Sequence, residues 1–412
     1  MIDTDTALQA QVDAQLMEQG AFTPLELLFN TGRLLYSDYE AWRRGDIELL
    51  DDVLMGSLDN IRAELEQAAG YARRVGLVAE RQTFSVWEGD GGETRTLRIS
   101  ADARLRELIA CRWLPAQQAP QMDLFFDNPV VALTNGIVRA LCRGDAAEAE
   151  RQLDLLYAHS PNHADLPAFD QLLAALTRAQ HPVEDARQER AQLLDLTPTA
   201  KRLLGARWRE LLAPLWRRLA HALADARFMP GDPAMHRSFA LSQAEDWSAL
   251  RECVLAEPEW WLHAPLCLHL ANSAFHRRQR LEALEAWCHL CWRAPDHVDE
   301  AIERLKQPEL TAQWHRFLDL EDEATPDAPA LTAADFPAWL LLNEPGLALH
   351  LDADLPPGDT AGEGHYRWVH RCIRARRDHD EQAELAARKA LQASQPTLFT
   401  ILKRTLSSAR RP

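Results

Sequence analysis

Arg143-Gly144-Asp145-Ala146-Ala147-Glu148-Ala149, with Pro161-Asn162 following twelve residues after Ala149, decides how this chain is read. The stretch predicts a helix, a tight turn and a second helix that stops at a proline. Gly144 suits a turn that needs an unhindered backbone. Ala149 is small enough to let two helices approach. Pro161 cannot continue a helix and so ends the hairpin. The same spacing returns at Ala283 and Pro295, and with one extra residue at Ala383 and Pro396. Hairpins repeated in this way predict a scaffold rather than a reaction centre.

The totals agree with a large folded protein. The chain has 412 residues, 47% of them hydrophobic, enough for two or three domains with cores of their own. Its 13 tryptophans imply extensive burial or large contact surfaces. The formal net charge of −17 repels phosphates and anionic lipid heads, so neither nucleic acid nor membrane is the expected partner. The charge is uneven. Residues 364–412 carry eleven Arg and Lys against four Asp and Glu, a net of +7 that leaves −24 on the first 363 residues. The 7 cysteines are odd in number and lie mostly in apolar helical patterns, which points to free, buried thiols in a reducing compartment. Met1-Ile2-Asp3-Thr4-Asp5 lacks the basic-then-apolar order of a signal peptide. No apolar run approaches the roughly 20 residues that span a bilayer. The expected location is the cytoplasm.

Three units are expected, at 1–115, 122–320 and 331–412. In the first, Thr23-Pro24-Leu25-Glu26 and Ser37-Asp38-Tyr39-Glu40 read as capping boxes that start helices. Ser57 opens a longer helix with Leu58, Ile61, Leu65, Ala68 and Ala72 on one face. Gln82–Glu88 and Thr94–Ser100 flank Gly89-Asp90-Gly91-Gly92 and predict one β-hairpin. Asp102 begins a helix expected to end near Trp113-Leu114-Pro115. Residues 116–127 read as a linker. A long amphipathic helix is predicted from Thr199 to Phe228, kinked at Pro214, with Arg202, Arg209, Arg217 and Arg218 on a solvated face. Further loops are expected at 321–329, which is acidic and proline-rich, and at 352–364. The fold class is therefore all-α, a helical-hairpin array with one small β-hairpin in the N-terminal unit.

The hairpins resemble tetratricopeptide repeats. In that family a turn glycine, an alanine five residues on and a proline twelve beyond it recur in units of about 34 residues. Gly144, Ala149 and Pro161 match the second half of such a unit. Leu270, Ala271, Ala283 and Pro295 suit a second copy, with Arg278 in place of the glycine. Trp368, Cys372 and Ala383 suit a third, with Pro396 one residue late. The resemblance implies a protein-binding surface rather than chemistry. Separately, Asp246-Trp247-Ser248-Ala249-Leu250 with Glu257-Pro258-Glu259-Trp260-Trp261-Leu262 resembles the helical C-terminal region of TssA-like proteins of type VI secretion.

No reaction centre is legible. Cys288-His289-Leu290-Cys291, with Cys267, His263, His269 and His297 nearby, has the residue types of a zinc site. The two cysteines fall inside a helix beside Trp287 and Trp292, where they read as packed core. His159 and His163 near Asp165, and His297 near Asp296 and Asp299, read as solvent-facing hairpin exits. There is no serine-centred elbow, P-loop or dinucleotide fingerprint. The expectation is a non-enzymatic protein with no cofactor, no metal and no catalytic residues. Its partner-binding candidates are Trp247, Trp260, Trp261 and Trp292, packing first and anchoring second, and the basic stripe Arg367, Arg371 and Arg374. Trp368, beside that stripe, is expected to pack inward. The expected function is a cytoplasmic scaffold or adaptor for another protein. The alternative is a nucleic-acid-associated regulator with a winged-helix-like N-terminal unit and a basic C-terminal helix. Against it, Arg62, Arg73 and Arg74 on the Ser57 helix face Asp59, Glu64 and Glu66 in equal number.

Overall fold

Each expected hairpin closes on one backbone residue in the left-handed conformation, at Gly144 (φ 75°), Arg278 (φ 60°) and His379 (φ 61°). The computed structural model describes residues 4–87, 95–115, 129–305, 307–320, 329–352 and 360–408. The expected turn at Gly89–Gly92, the linker at 116–127, and parts 321–328 and 353–359 of the two expected loops lie outside them.

Two compact units make up the fold, Asp3–Ala249 and Leu250–Pro412. The first holds α1 (Thr4–Gln19), α2 (Pro24–Asn30), α3 (Tyr36–Arg44), α4 (Leu58–Arg74), β1 (Leu77–Arg81), α5 (Ala103–Ile109) and β2 (Cys111–Pro115). It continues through α6 (Pro129–Arg143), α7 (Ala146–His159), α8 (Leu166–Arg178), α9 (Ala186–Leu204), α10 (Trp208–Ala222) and α11 (Arg237–Gln243). Helix α12 (Trp247–Ala256) carries the chain across the division. The second unit holds α13 (Ala264–His276), α14 (Arg280–Arg293), α15 (Val298–Leu305), α16 (Pro308–Leu318), α17 (Phe336–Asn343), α18 (Ala361–Arg377), α19 (Glu381–Ser394) and α20 (Pro396–Ser408). The protein is all-α apart from a small antiparallel sheet.

The hairpins α6–α7, α13–α14 and α18–α19 share one local code. At the end of the first helix the left-handed residue donates to a carbonyl three residues back, and its successor to one five back. Asp145 N–H reaches Ala140 at 3.0 Å, Gln279 reaches Ala274 at 2.8 Å and Asp380 reaches Ala375 at 2.8 Å. These are the paired bonds that satisfy the last carbonyls of a helix. Asp145 and Asp380 then cap the second helix, accepting from Glu148 at 3.0 Å and Ala383 at 2.9 Å. At the far end Ser160, Ala294 and Gln395 hold φ near −143° (−142°, −143° and −144°), and Pro161, Pro295 and Pro396 follow. The interval from the left-handed residue to the proline is seventeen in all three. This corrects the reading of the third copy. Pro396 is in register, and the place of the buried Ala149 and Ala283 belongs to half-buried Glu384, while Ala383 is exposed.

The sheet departs from expectation. The predicted hairpin is present in its paired residues: Val86 donates to Arg95 at 3.0 Å and Leu97 to Phe84 at 2.8 Å. The sheet proper is formed elsewhere, by β1 against β2, with Ala79 opposite Trp113. The helix from Asp102 therefore stops at Ile109 instead of running to Pro115. Trp113 also exchanges backbone bonds with Phe22, at 2.9 and 2.8 Å. That long-range pairing overrides the local helical pattern.

The expected helix from Thr199 to Phe228 is likewise two elements, α9 and α10, separated at Gly205. Its arginines are the larger correction. Arg209 is buried, with Glu26 at 2.6 Å and Glu245 at 2.9 Å. Arg217 reaches Glu40 through two bonds of 2.8 Å, and Arg218 reaches Glu189 at 2.9 Å. Of the four, Arg202 alone remains well exposed, paired with Asp165. The neighbouring Glu210 collects Arg207 at 2.6 Å, Arg43 at 3.2 Å and the hydroxyl of Tyr39 at 3.2 Å. Glu26 and Glu40 are the glutamates of the two expected capping boxes, and neither box forms. Their carboxylates bind α10 across the unit rather than their own helix ends.

In the second unit α18 sits closely on a short turn at Ala333–Asp335. Asp335 caps that turn through Thr332 N–H (2.9 Å) and holds His365 Nδ1 at 2.6 Å. A Cβ at Gly362 would lie 2.3 Å from the Ala334 carbonyl oxygen, whereas one at Gly364 meets nothing within 4 Å.

Two stability outcomes follow from this geometry, each readable as a urea midpoint. Gly362→Ala forces backbone apart and should cost about 1–3 kcal/mol, while Gly364→Ala should be neutral or gain up to about 1 kcal/mol. His379→Gly removes the left-handed strain of a side-chain-bearing residue and should gain up to about 1 kcal/mol, whereas Gly144→Ala should lose a similar amount.

Candidate functional site

Helix α18 presents two faces. Tyr366, Val369, His370 and Cys372 are buried, while Arg371 and Arg374 are exposed and Trp368 is half-buried. The buried face joins an aromatic ladder. Ring centroids step from Trp261 to Trp260 (6.0 Å), His289 (5.5 Å), Trp292 (5.4 Å), Tyr366 (5.4 Å) and His370 (6.0 Å). Most of these contacts are edge-to-face, the arrangement favoured by the ring quadrupoles. Two members of the ladder position the wall opposite α18. The Tyr366 hydroxyl donates to the Asp352 carbonyl at 3.1 Å, and His370 Nε2 lies 2.9 Å from the Leu351 carbonyl.

Between that wall and the α18–α19 hairpin lies a cleft of about 540 Å³. Leu349–Asp352 form one side. Trp368, Arg371 and Arg374 form the other, and Asp378 and Asp380 stand at the hairpin turn. Alanines 375, 383, 386 and 387 lie along it and leave room where longer side chains would fill it. The Arg371 guanidinium lies 5.4 Å from the Trp368 ring centroid, a cation–π contact that restrains both groups. Trp368 thus lines the cleft rather than packing inward as the sequence suggested. His370 is held toward its neutral form, first by burial, and Arg374 acts in the same direction. Its Nδ1 is buried.

The sequence-derived candidates separate into groups. Trp260 and Trp292 are buried in the ladder, and Trp261 is half-buried at its end. Trp247 is buried on α12. Arg371 and Arg374 meet in the cleft. Arg367 does not line it and stands 3.9 Å from the buried carboxylate of Glu363, which Arg293 also binds at 2.5 Å. Cys288 and Cys291 are buried on α14, and burial pushes both thiols up. Sequence reasoning missed the opposite wall and the acidic end. Nothing in the sequence ties Leu349–Asp352 to α18; the run Arg374–Asp380 did show basic groups giving way to acidic ones.

Comparison of the chain with protein-family models, with curated proteins and with solved structures finds no match. The geometry alone therefore carries the functional reading.

His289 gives the second unit a pH dependence. It is fully buried, neither ring nitrogen has a hydrogen-bond partner among the described residues, and burial holds it down to about 4. An unfolded chain takes up this proton near pH 6.5, so the group's contribution is intact above that value and is lost as pH falls toward 4. Urea midpoints should show a loss of about 2 kcal/mol between pH 7 and pH 5 from this residue. In His289→Phe that part of the slope should disappear.

Proposed function

We propose that this protein is a non-enzymatic adaptor that binds another protein through its helical hairpins, of tetratricopeptide-repeat type, in the reducing environment of the cytoplasm. The observation that carries the reading is the open cleft on α18 and α19. It brings exposed arginines, a half-buried tryptophan ring and apolar side chains to one place on a helical hairpin. Interfaces draw their energy from such aromatic and arginine side chains. The seven free thiols support the choice of compartment.

The alternative of a nucleic-acid regulator finds less support. Phosphate binding needs available cations, and several of the N-terminal arginines are committed to carboxylates, while Arg73 and Arg74 lie over the Trp113 and Tyr71 rings. Arg62 binds Asp59 and Asp102 at 2.5 and 2.6 Å, Arg104 binds Glu66 at 2.9 Å, and Arg33 binds Glu64.

Affinity capture with the full chain, followed by mass spectrometry, should return a discrete protein partner whose retention survives nuclease treatment. Duplex DNA should show no binding at about 50 mM salt. Tight DNA binding that falls steeply with salt, with no protein retained, would reverse the choice.

A further inference from the structure

We infer that the α18–α19 cleft takes an extended peptide segment carrying an acidic side chain and, two residues away, a basic one. The inference rests on the adaptor reading and names the chemistry of its ligand.

The order of charge along the hairpin is the first ground. Arg371 and Arg374 on α18 precede Asp378, the residue that closes the helix, and Asp380 follows across the turn. At about 1.5 Å of rise per residue, Arg374 and Asp378 are about 6 Å apart along the helix axis. Side chains at i and i+2 of an extended chain point the same way and are about 6.8 Å apart. One peptide can therefore set a carboxylate against Arg374 and an ammonium or guanidinium against Asp378 without bending.

The side chains suit these roles. Arg374 is the exposed guanidinium that takes the carboxylate, and Arg371, resting on Trp368, adds positive charge beside it. A guanidinium offers paired donors that match a carboxylate's two oxygens. Asp378 and Arg374 are both exposed. Small side chains along the cleft let a peptide backbone approach the hairpin. His370 lines the same cleft and holds its far wall through Leu351.

A purely acidic or polyphosphate ligand fits less well. Asp352, Asp378 and Asp380 line the cleft alongside the arginines, and like charges within it repel. Asp380 is partly engaged in capping α19 at Ala383 N–H, 2.9 Å away, which leaves Asp378 as the main partner for a cation.

The test uses the full chain and fluorescein-labelled nonapeptide pools with a fixed central triplet, Glu-Ala-Lys, Glu-Ala-Glu, Lys-Ala-Lys or phosphoserine-Ala-Ala, between randomised flanks. Fluorescence anisotropy should show the Glu-Ala-Lys pool binding at least about tenfold tighter than the others, a difference worth about 1.4 kcal/mol. Arg374→Ala should weaken that pool about tenfold. Asp378→Lys should transfer the preference to Glu-Ala-Glu, since it replaces the attractive group by a repulsive one. Equal binding of all pools, no binding, tightest binding of the phosphoserine pool, or an unchanged preference in Asp378→Lys would each overturn the inference. A captured partner that both variants retain as well as the parent chain would remove the cleft assignment and leave the adaptor reading standing. A chain that captures no protein would remove both.

Discussion

A single left-handed residue between two helices is the constraint on which this fold turns. It reverses the chain within a few residues and directs the last carbonyls of the first helix onto its successor's N–H. It also delivers the next side chain to the N-terminus of the second helix. Glu245 repeats the geometry between α11 and α12, with φ 55° and a 3.1 Å bond from Asp246 to Leu241. Glycine occupies this position in one hairpin, and Glu, Arg and His occupy it in the others at a cost of about 1–2 kcal/mol each. Packing of each helix pair over buried leucines and alanines must offset that strain. Turn geometry, rather than any one residue type, is what the hairpins have in common.

Within Asp3–Ala249 a second force operates, the pairing of buried charge. Arg209 and Glu210, adjacent on α10, bind opposite signs: Arg209 takes Glu26 and Glu245, and Glu210 takes Arg43 and Arg207. Aromatic rings complete the shell, with the Arg209 guanidinium 4.5 Å from the Trp208 ring centroid and that of Arg43 5.0 Å from Trp87. Such a network adds little net stability over an apolar core, but loss of one member leaves a buried charge without its partner, at about 3–5 kcal/mol. Glu26 ties α2 to Arg209 and Glu40 ties α3 to Arg217, both on α10.

In Leu250–Pro412 the same economy of polar groups shapes the cleft. The aromatic ladder fills the interior and hands over at Tyr366 and His370 to the carbonyls of Asp352 and Leu351. One face of α18 thereby fixes the cleft's far wall, and the other supplies its charged side. The tryptophans that dominate the sequence are mostly structural here. Trp368, a less conspicuous one, borders solvent and the arginines.

The sequence by itself determined the local elements. Proline, the left-handed turn and helical periodicity act over a few residues, so the hairpins, their ends and the all-α class were legible. So was the basic stripe at Arg371 and Arg374, because residues three and four apart share a helix face. Tertiary structure decided what each element meets. Glu26 and Glu40 have the spacing of capping residues, yet arginines more than 170 positions away claim them. Trp113 sits in a helical pattern, yet Phe22 and Ala79 draw it into a strand. The cleft's wall at Leu349–Asp352 has no signature of its own. Charge pairing, strand pairing and cavity shape depend on through-space distance between residues remote in the chain, and no local pattern encodes that distance.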